Sequence, residues 1–392
     1  MPNRSSHRVA SRMAHIAPFQ VMSLLARARS LEAAGHDVIH MEIGEPDFPT
    51  PQPIIQAGIR ALEQGHTRYT TATGLIQLRE AIAQHYRQRF DTLIDPERIL
   101  ITPGASGALL LVLGLLIDRD DEVLLADPTY PCNRHLISLF EGRPHSIPVG
   151  PEHNFQPTPS QIESEWREHT RALMLATPAN PTGTVIDRTT MNNLQATVTA
   201  RGGHLIVDEI YQGLIYGHED YTALDISPDN FVINSFSKYF NMTGWRLGWL
   251  VIPKAFTTEA EKLAMNMFLA APTPAQYAAL AAFLPETQAI QQQYRTELEQ
   301  RRNYLLAELP RCGFSIPAQP GGAFYVYADC SMLTADSWRF CHELLEQAHV
   351  ATTPGADFGQ HQAHRYIRFA YTATVPRLKQ ALERIARFVQ WQ

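Results

Sequence analysis

Lysine is scarce in this chain, and its scarcity makes Lys238 informative. Of the 33 basic residues only Lys238, Lys254, Lys262 and Lys379 are lysines; the rest are arginine. A solvated positive charge can be of either type. A chain that uses arginine by default therefore raises the question of what each lysine does that a guanidinium cannot. A lysine amine can lose its proton, attack a carbonyl and form a Schiff base, whereas a guanidinium stays charged. Lys238 lies in the run SFSKYFNMTGWRLGW (235–249), with Ser235 three residues before it and Arg246 eight residues after.

The elements that must position these residues are visible as near-continuous apolar runs, each followed by a turn. They are RILIT (98–102), EVLLAD (122–127), ALMLAT (172–177), HLIVDE (204–209), FVINS (231–235) and RLGWLVI (246–252). Apolar runs without alternation suit strands buried on both faces. The sequence therefore predicts an α/β fold with a mostly parallel sheet flanked by helices. Such sheets bind ligands beyond the carboxyl ends of their strands. Ser106, Tyr130, Asn180, Asp208, Tyr211, Ser235 and Lys238 fall at those ends.

Each residue taken singly also has an ordinary structural reading. Ser106, after Pro103-Gly104, suits either a helix cap or an anion contact at a helix N-terminus. Asp208 ends a buried strand and needs a cationic partner, from the protein or from a ligand. Tyr211 is a hydrogen-bonding group or a core tyrosine. Tyr130 stacks on a flat ring or packs in its proline-bounded turn. Asn180 in ANPTG suits a turn, and Arg246 a surface charge. One ligand satisfies the whole set: a flat aromatic aldehyde with a phosphate and a ring nitrogen that takes a proton, which is pyridoxal phosphate.

The ordered motifs HMEIGEPDF (40–48), YTTATGLIQLREAIA, TPGASGAL, DPTYP, ANPTG, VDEIYQGLIY, SFSKYFNMTGWRLGW, PGGAFYVYAD and YIRFAY cover nearly the whole chain. In this it resembles the class I/II aminotransferases of pyridoxal-phosphate fold type I, on their aspartate/aromatic/alanine branch. The resemblance implies a sheet of the seven-stranded type and a homodimer with shared active sites. It implies that Lys238 binds the cofactor covalently and moves the substrate proton, with Asp208 on the pyridine nitrogen. Asn180 and Tyr211 would bond the phenolic oxygen, and Tyr130 would stack on the ring. Ala105 (by its backbone), Ser106, Ser235 and Arg246 would hold the phosphate, with Tyr69 reaching the neighbouring subunit's phosphate. Arg368 would clamp the substrate α-carboxylate, assisted by the Gly44 backbone and Asn180. Two departures stand out. Ala105 replaces a side-chain donor that some relatives have, and no arginine is placed for a second substrate carboxylate.

The expected reaction is ping-pong transfer between an L-amino acid and a 2-oxo acid, with aspartate or a similar amino acid as donor. The alternative on the same scaffold is a carbon–sulfur β-lyase or an aminocyclopropane-carboxylate synthase-like enzyme. A ligand-sensing regulator would carry a DNA-binding module, and residues 1–40 are too short and too little charged for one. The net charge is −6 and no basic run occurs, which argues against nucleic-acid binding. No GxGxxG follows a strand and no GxxxxGK[ST] occurs. No metal site is expected. The longest apolar stretch, GALLLVLGLLI, is about half of the ~20 residues a membrane helix needs and reads as a buried helix.

The first residues lack the apolar core of a secretory signal, and the four cysteines contain no CxxC pair. Both features point to a reducing cytoplasm. Residues 19–34 read as an amphipathic helix stopped by Gly35, with the segment around Phe19 near the substrate side chain. A long helix is expected over 286–309. The predicted organisation is a large cofactor domain, 50–285, and a small α+β domain from residues 1–49 plus 286–392.

Overall fold

The computed structural model describes residues 9–390 of the 392. In chain order the strands are β1 (Ile39–His40), β2 (Ile99–Thr102), β3 (Glu122–Asp127), β4 (Arg143–Pro148), β5 (Thr170–Ala176) and β6 (His204–Asp208). They continue with β7 (Phe231–Ser235), β8 (Gly248–Val251), β9 (Tyr325–Asp329), β10 (Val350–Ala351), β11 (Thr353–Pro354) and β12 (Tyr366–Ala370). Strands β2 to β8 form one sheet in the order β2-β8-β7-β6-β5-β3-β4. Every neighbouring pair is parallel except those made by β8.

Alternate residues of one strand enter different cores, as a sheet covered on both faces requires. Val123 and Leu125 join one apolar cluster, whereas Leu124 and Ala126 join the other. Ile206 parts in the same way from Leu205 and Val207. The helix Gly104–Leu116 carries the apolar run and buries Ala108, Leu109, Leu111, Val112 and Leu113. It packs on β7, β8 and the helix Thr257–Met267. Truncating one such leucine to alanine costs about 2–5 kcal/mol. β4 escaped the sequence reading for a physical reason: RPHSIP holds two prolines and buries only Ile147. A polar, proline-bearing strand belongs at a sheet edge, and β4 lies there.

The remaining strands bring the two ends of the chain together. β9, β11 and β12 form an antiparallel sheet in the order β11-β12-β9, and β1 pairs parallel with β10. The helix Gln20–Ala33 buries Leu24, Ala28 and Leu31 at helical spacing, against Val38, Leu345 and Ala351. The chain leaves it through Gly35 at φ 92°, a left-handed conformation that glycine adopts without strain. The long helix runs Pro285–Glu308, one residue from its expected bounds. Among the described residues, no helix is long and apolar enough to cross a membrane.

Candidate active site

The carboxyl ends of β2, β3, β5, β6 and β7 open on one cavity of about 320 Å³. Of the residues singled out by sequence, Gly44, Ala105, Ser106, Tyr130, Asn180, Asp208, Tyr211, Lys238, Arg246 and Arg368 line it. Ser235 and Tyr69 do not.

At one end the helix Gly104–Leu116 begins without a side-chain cap, after Pro103. Its first-turn N–H groups therefore remain available to an anion. Two glycines shape this end. Gly104 sits at φ 70°, and a Cβ there would stand 2.6 Å from Arg246 Nη2. A Cβ on Gly248 would meet the Gly104 carbonyl carbon at 2.7 Å. Their lack of side chains lets β8 press the helix start against the arginine. Arg246 Nη1 donates to the Thr243 carbonyl at 2.9 Å, and among the described residues the guanidinium has no ion-pair partner, so donors remain free. Ser106 is exposed on the first turn. Ser237, rather than Ser235, faces the cavity. The Ser235 hydroxyl is buried behind it, accepts the Ser237 N–H at 3.1 Å and donates to Ser237 Oγ at 2.9 Å. Tyr69 is 81 % exposed.

In the middle of the cavity, Asp208 ends β6. Its Oδ1 accepts the Ile210 N–H at 3.0 Å, while Oδ2 has no protein partner among the described residues. Burial pushes this carboxyl up to about 6, opposed by the Ile210 N–H and by Lys238. Lys238 Nζ donates to the Gly44 carbonyl at 2.6 Å. Burial lowers its amine to about 8; Glu45 and Asp208 oppose the shift, whereas Arg368 and Arg246 add to it. The Tyr211 and Tyr325 hydroxyls lie 2.8 Å apart. Burial raises the Tyr211 phenol well above its ordinary value, so it remains a protonated donor. The Tyr130 loop is tied to the C-terminal part of the chain: Asp127 accepts the Gln360 and His361 N–H groups, and the Thr129 N–H donates to the Phe358 carbonyl at 3.0 Å.

At the far end Arg368, on β12, is 4 % exposed. Its Nη1 donates to Asn180 Oδ1 at 2.8 Å, and its Nη2 to the Glu42 carbonyl at 2.5 Å. The guanidinium lies 4.3 Å over the Tyr325 ring and 4.7 Å over that of Phe358. Its Nε is buried and without a hydrogen-bond partner among the described residues. Tyr325, Ser237 and Phe358 were not singled out by sequence. Tyr325 and Ser237 lie inside quoted motifs, but nothing local marks which side chain of a buried strand or turn faces a cavity.

Pyridoxal phosphate fits these residues. The helix start and Arg246 offer an anion cup, the open Asp208 oxygen a partner for a protonated ring nitrogen, and Lys238 an amine for the aldehyde. A family model described as aminotransferase class I and II matches residues 36–385. The chain belongs to the class I and II aminotransferases. These enzymes use pyridoxal phosphate, and this chain is a pyridoxal-phosphate-dependent transaminase. The aminotransferase is 37% identical to valine–pyruvate aminotransferase of Mycobacterium tuberculosis, over 98% of this chain and 99% of that one. It is 36% identical to (5-formylfuran-3-yl)methyl phosphate transaminase of Methanocaldococcus jannaschii, over 97% and 99%. A crystal structure of an aminotransferase from Mycobacterium tuberculosis superposes with a TM-score of 0.95 at 36% identity, covering 99% of this chain and all of that one.

Proposed function

We propose that this aminotransferase moves the α-amino group of an L-amino acid to a 2-oxo acid in two half-reactions at this one cavity. The observation that carries the reading is that Arg368, Lys238 and the open Asp208 oxygen share one cavity. When bound, pyridoxal phosphate supplies an electron-withdrawing ring that stabilises negative charge at the substrate α-carbon.

The chain's own residues do the rest. The helix start at Gly104–Ser106, with Arg246 and Ser237, holds the phosphate, and Ser235 fixes Ser237. Asp208 would keep a proton on the ring nitrogen by accepting the N–H hydrogen bond at Oδ2. Tyr211, oriented by Tyr325, and Asn180 hydrogen-bond the phenolic oxygen, and Tyr130 lies against the ring. Arg368 clamps the substrate α-carboxylate, with Asn180 holding the guanidinium plane and Gly44 shaping the wall. Lys238 would hold the cofactor through its aldehyde, and its free amine would take the proton from the substrate α-carbon. An amine lowered to about 8 is neutral in roughly one molecule in ten at pH 7, a far larger share than an ordinary lysine offers.

The functional unit is proposed to be a homodimer in which Tyr69, exposed and off its own cavity, serves the neighbouring site. The proposed large and small parts are 50–285 and 1–49 plus 286–392. Pairing of β1 with β10 supports joining the termini. Four free cysteines support a reducing, cytoplasmic setting. The test incubates the holoenzyme with an amino acid, with and without 2-oxoglutarate. Glutamate formation that requires the oxo acid supports transamination. Pyruvate and ammonia released without it would mean a lyase.

A further inference from the structure

The proposed function uses only Gly44 from the motif HMEIGEPDF (40–48), yet the same motif reaches Arg368 through His40 and Glu42. Glu42 is fully buried, and a carboxylate there is costly unless it is paired. Its partner is His40: Glu42 Oε1 lies 2.7 Å from His40 Nδ1. The other ring nitrogen, Nε2, lies 3.2 Å from Oε1 of Glu32, near the end of the helix Gln20–Ala33. The bond to Glu42 outweighs the opposing effect of burial and, with Glu32, raises the imidazole to about 9. At neutral pH the ring is therefore an imidazolium that donates from both nitrogens.

The main chain of Glu42 carries this anchoring into the site. The residue before it is clasped between two strands: the Met41 N–H donates to the Ala351 carbonyl at 2.9 Å, and the Met41 carbonyl accepts the Ala370 N–H at 2.8 Å. The Glu42 carbonyl then accepts Arg368 Nη2 at 2.5 Å and Thr353 Oγ1 at 3.1 Å. Asn180 Oδ1 accepts the other arm of the guanidinium, Nη1. Two acceptors thus fix the plane of Arg368, and one of them is a peptide whose direction depends on where the Glu42 side chain is tied. The helix that supplies Glu32 is tied at its start as well: Asp357 Oδ1 accepts the Gln20 N–H at 2.9 Å, next to Phe358, whose ring lies against Arg368. A guanidinium fork pairs with a carboxylate through two bonds only when its plane is aimed at it. Releasing one acceptor therefore weakens that pair and leaves the cofactor contacts in place.

We propose that Glu42, held by His40, is a positioning residue that sets the plane of Arg368 and thereby the affinity for the substrate α-carboxylate. The proposal rests on the role given to Arg368 in the transaminase reading.

The test follows both half-reactions of the purified holoenzyme by stopped-flow, read from the visible absorbance of the cofactor. The probes are 2-oxoglutarate and whichever of alanine, aspartate, leucine and phenylalanine reacts fastest with the parent. Each gives an apparent Kd and a limiting rate. In Glu42→Ala the Kd of both probes is expected to rise about tenfold or more, the loss of one charge-assisted hydrogen bond. The limiting rates and the affinity for pyridoxal phosphate should change less than threefold. Glu42→Gln, which keeps an oxygen for His40, should fall between the parent and Glu42→Ala, and His40→Gln should raise Kd in the same direction. His40 is partly exposed, so its variant tests the idea even if Glu42→Ala does not fold. Kd values within twofold of the parent in the Glu42 and His40 variants overturn the proposal. So does a fall in limiting rate and cofactor affinity at unchanged Kd, which would mark general damage to the fold. Arg368→Lys is measured alongside: a raised Kd there with none in the Glu42 and His40 variants overturns this proposal alone, whereas an unchanged Kd in Arg368→Lys overturns the carboxylate clamp and this proposal together.

Discussion

Gly248 and Gly104 touch backbone to backbone: a side chain on Gly248 would stand 2.7 Å from the Gly104 carbonyl carbon and 2.8 Å from the Ala105 nitrogen. Gly248 is paired with Thr102 on one side and Ser235 on the other, so the sheet holds it in place. An added methyl must displace the helix start, because the atoms it meets are main chain. Overpacking of this kind costs about 1–3 kcal/mol. Gly248→Ala is expected to lower the melting temperature and to weaken pyridoxal phosphate binding at least tenfold, measured by titration of the apoprotein. Unchanged affinity would contradict the role given to this contact.

Arg368 offers a planar fork oriented by Asn180 and the Glu42 carbonyl, and lysine reproduces neither the fork nor these contacts. Losing two charge-assisted hydrogen bonds to the α-carboxylate costs about 3–6 kcal/mol. Arg368→Lys is therefore expected to reduce kcat/KM for amino acids by roughly 10²–10⁴ while the visible absorbance of bound cofactor persists. A loss below tenfold in steady-state kinetics would move the carboxylate elsewhere.

Asp208 is expected to make the apoprotein less stable above mild acidity. Its folded carboxyl lies at about 6, raised by burial from an ordinary 3.8. The folded state thus holds a proton that the unfolded state has released. Stability falls as pH rises between about 4 and about 6, by about 2–3 kcal/mol, and the deficit persists at neutral pH. Asp208→Asn removes the titration and keeps an oxygen for the Ile210 N–H. Its apoprotein should gain stability over the parent in urea melts at pH 7 and show little gain near pH 4, while transaminase activity collapses. An equal difference at both pH values would refute the assignment.

Tyr325→Phe removes the partner of the Tyr211 hydroxyl and leaves the ring under Arg368 in place. One neutral hydrogen bond contributes about 0.5–1.5 kcal/mol. The expected loss in kcat/KM is roughly threefold to tenfold, with a shift in the pH midpoint of the bound cofactor's absorbance, because Tyr211 is then less firmly oriented. An unmoved midpoint would leave the tyrosine pair a packing contact only.

The large sheet was legible because burial on both faces leaves continuous apolar runs. EVLLAD and FVINS appear with their bounds unchanged as β3 and β7. β4 was not legible, since an edge strand with prolines carries no such run. The rarity of lysine isolated Lys238, and the ends of buried strands isolated Asp208. Local spacing could not decide between Ser235 and Ser237, which lie two residues apart at a turn where one faces the cavity and the other supports it. Nor could it join Asp357 to Gln20, 337 residues apart. Tyr325 was hidden for a related reason: in YVYAD every residue of the strand is buried, so no polarity contrast marks the one that reaches the site.

The central claim is that Lys238, among four lysines, carries the cofactor. Borohydride reduction of the holoenzyme followed by peptide mass mapping examines that claim directly. The account predicts one pyridoxyl-phosphate adduct, on the peptide containing Lys238, and none in Lys238→Ala. An adduct on Lys254, Lys262 or Lys379 instead, or no adduct with cofactor in excess, would contradict it.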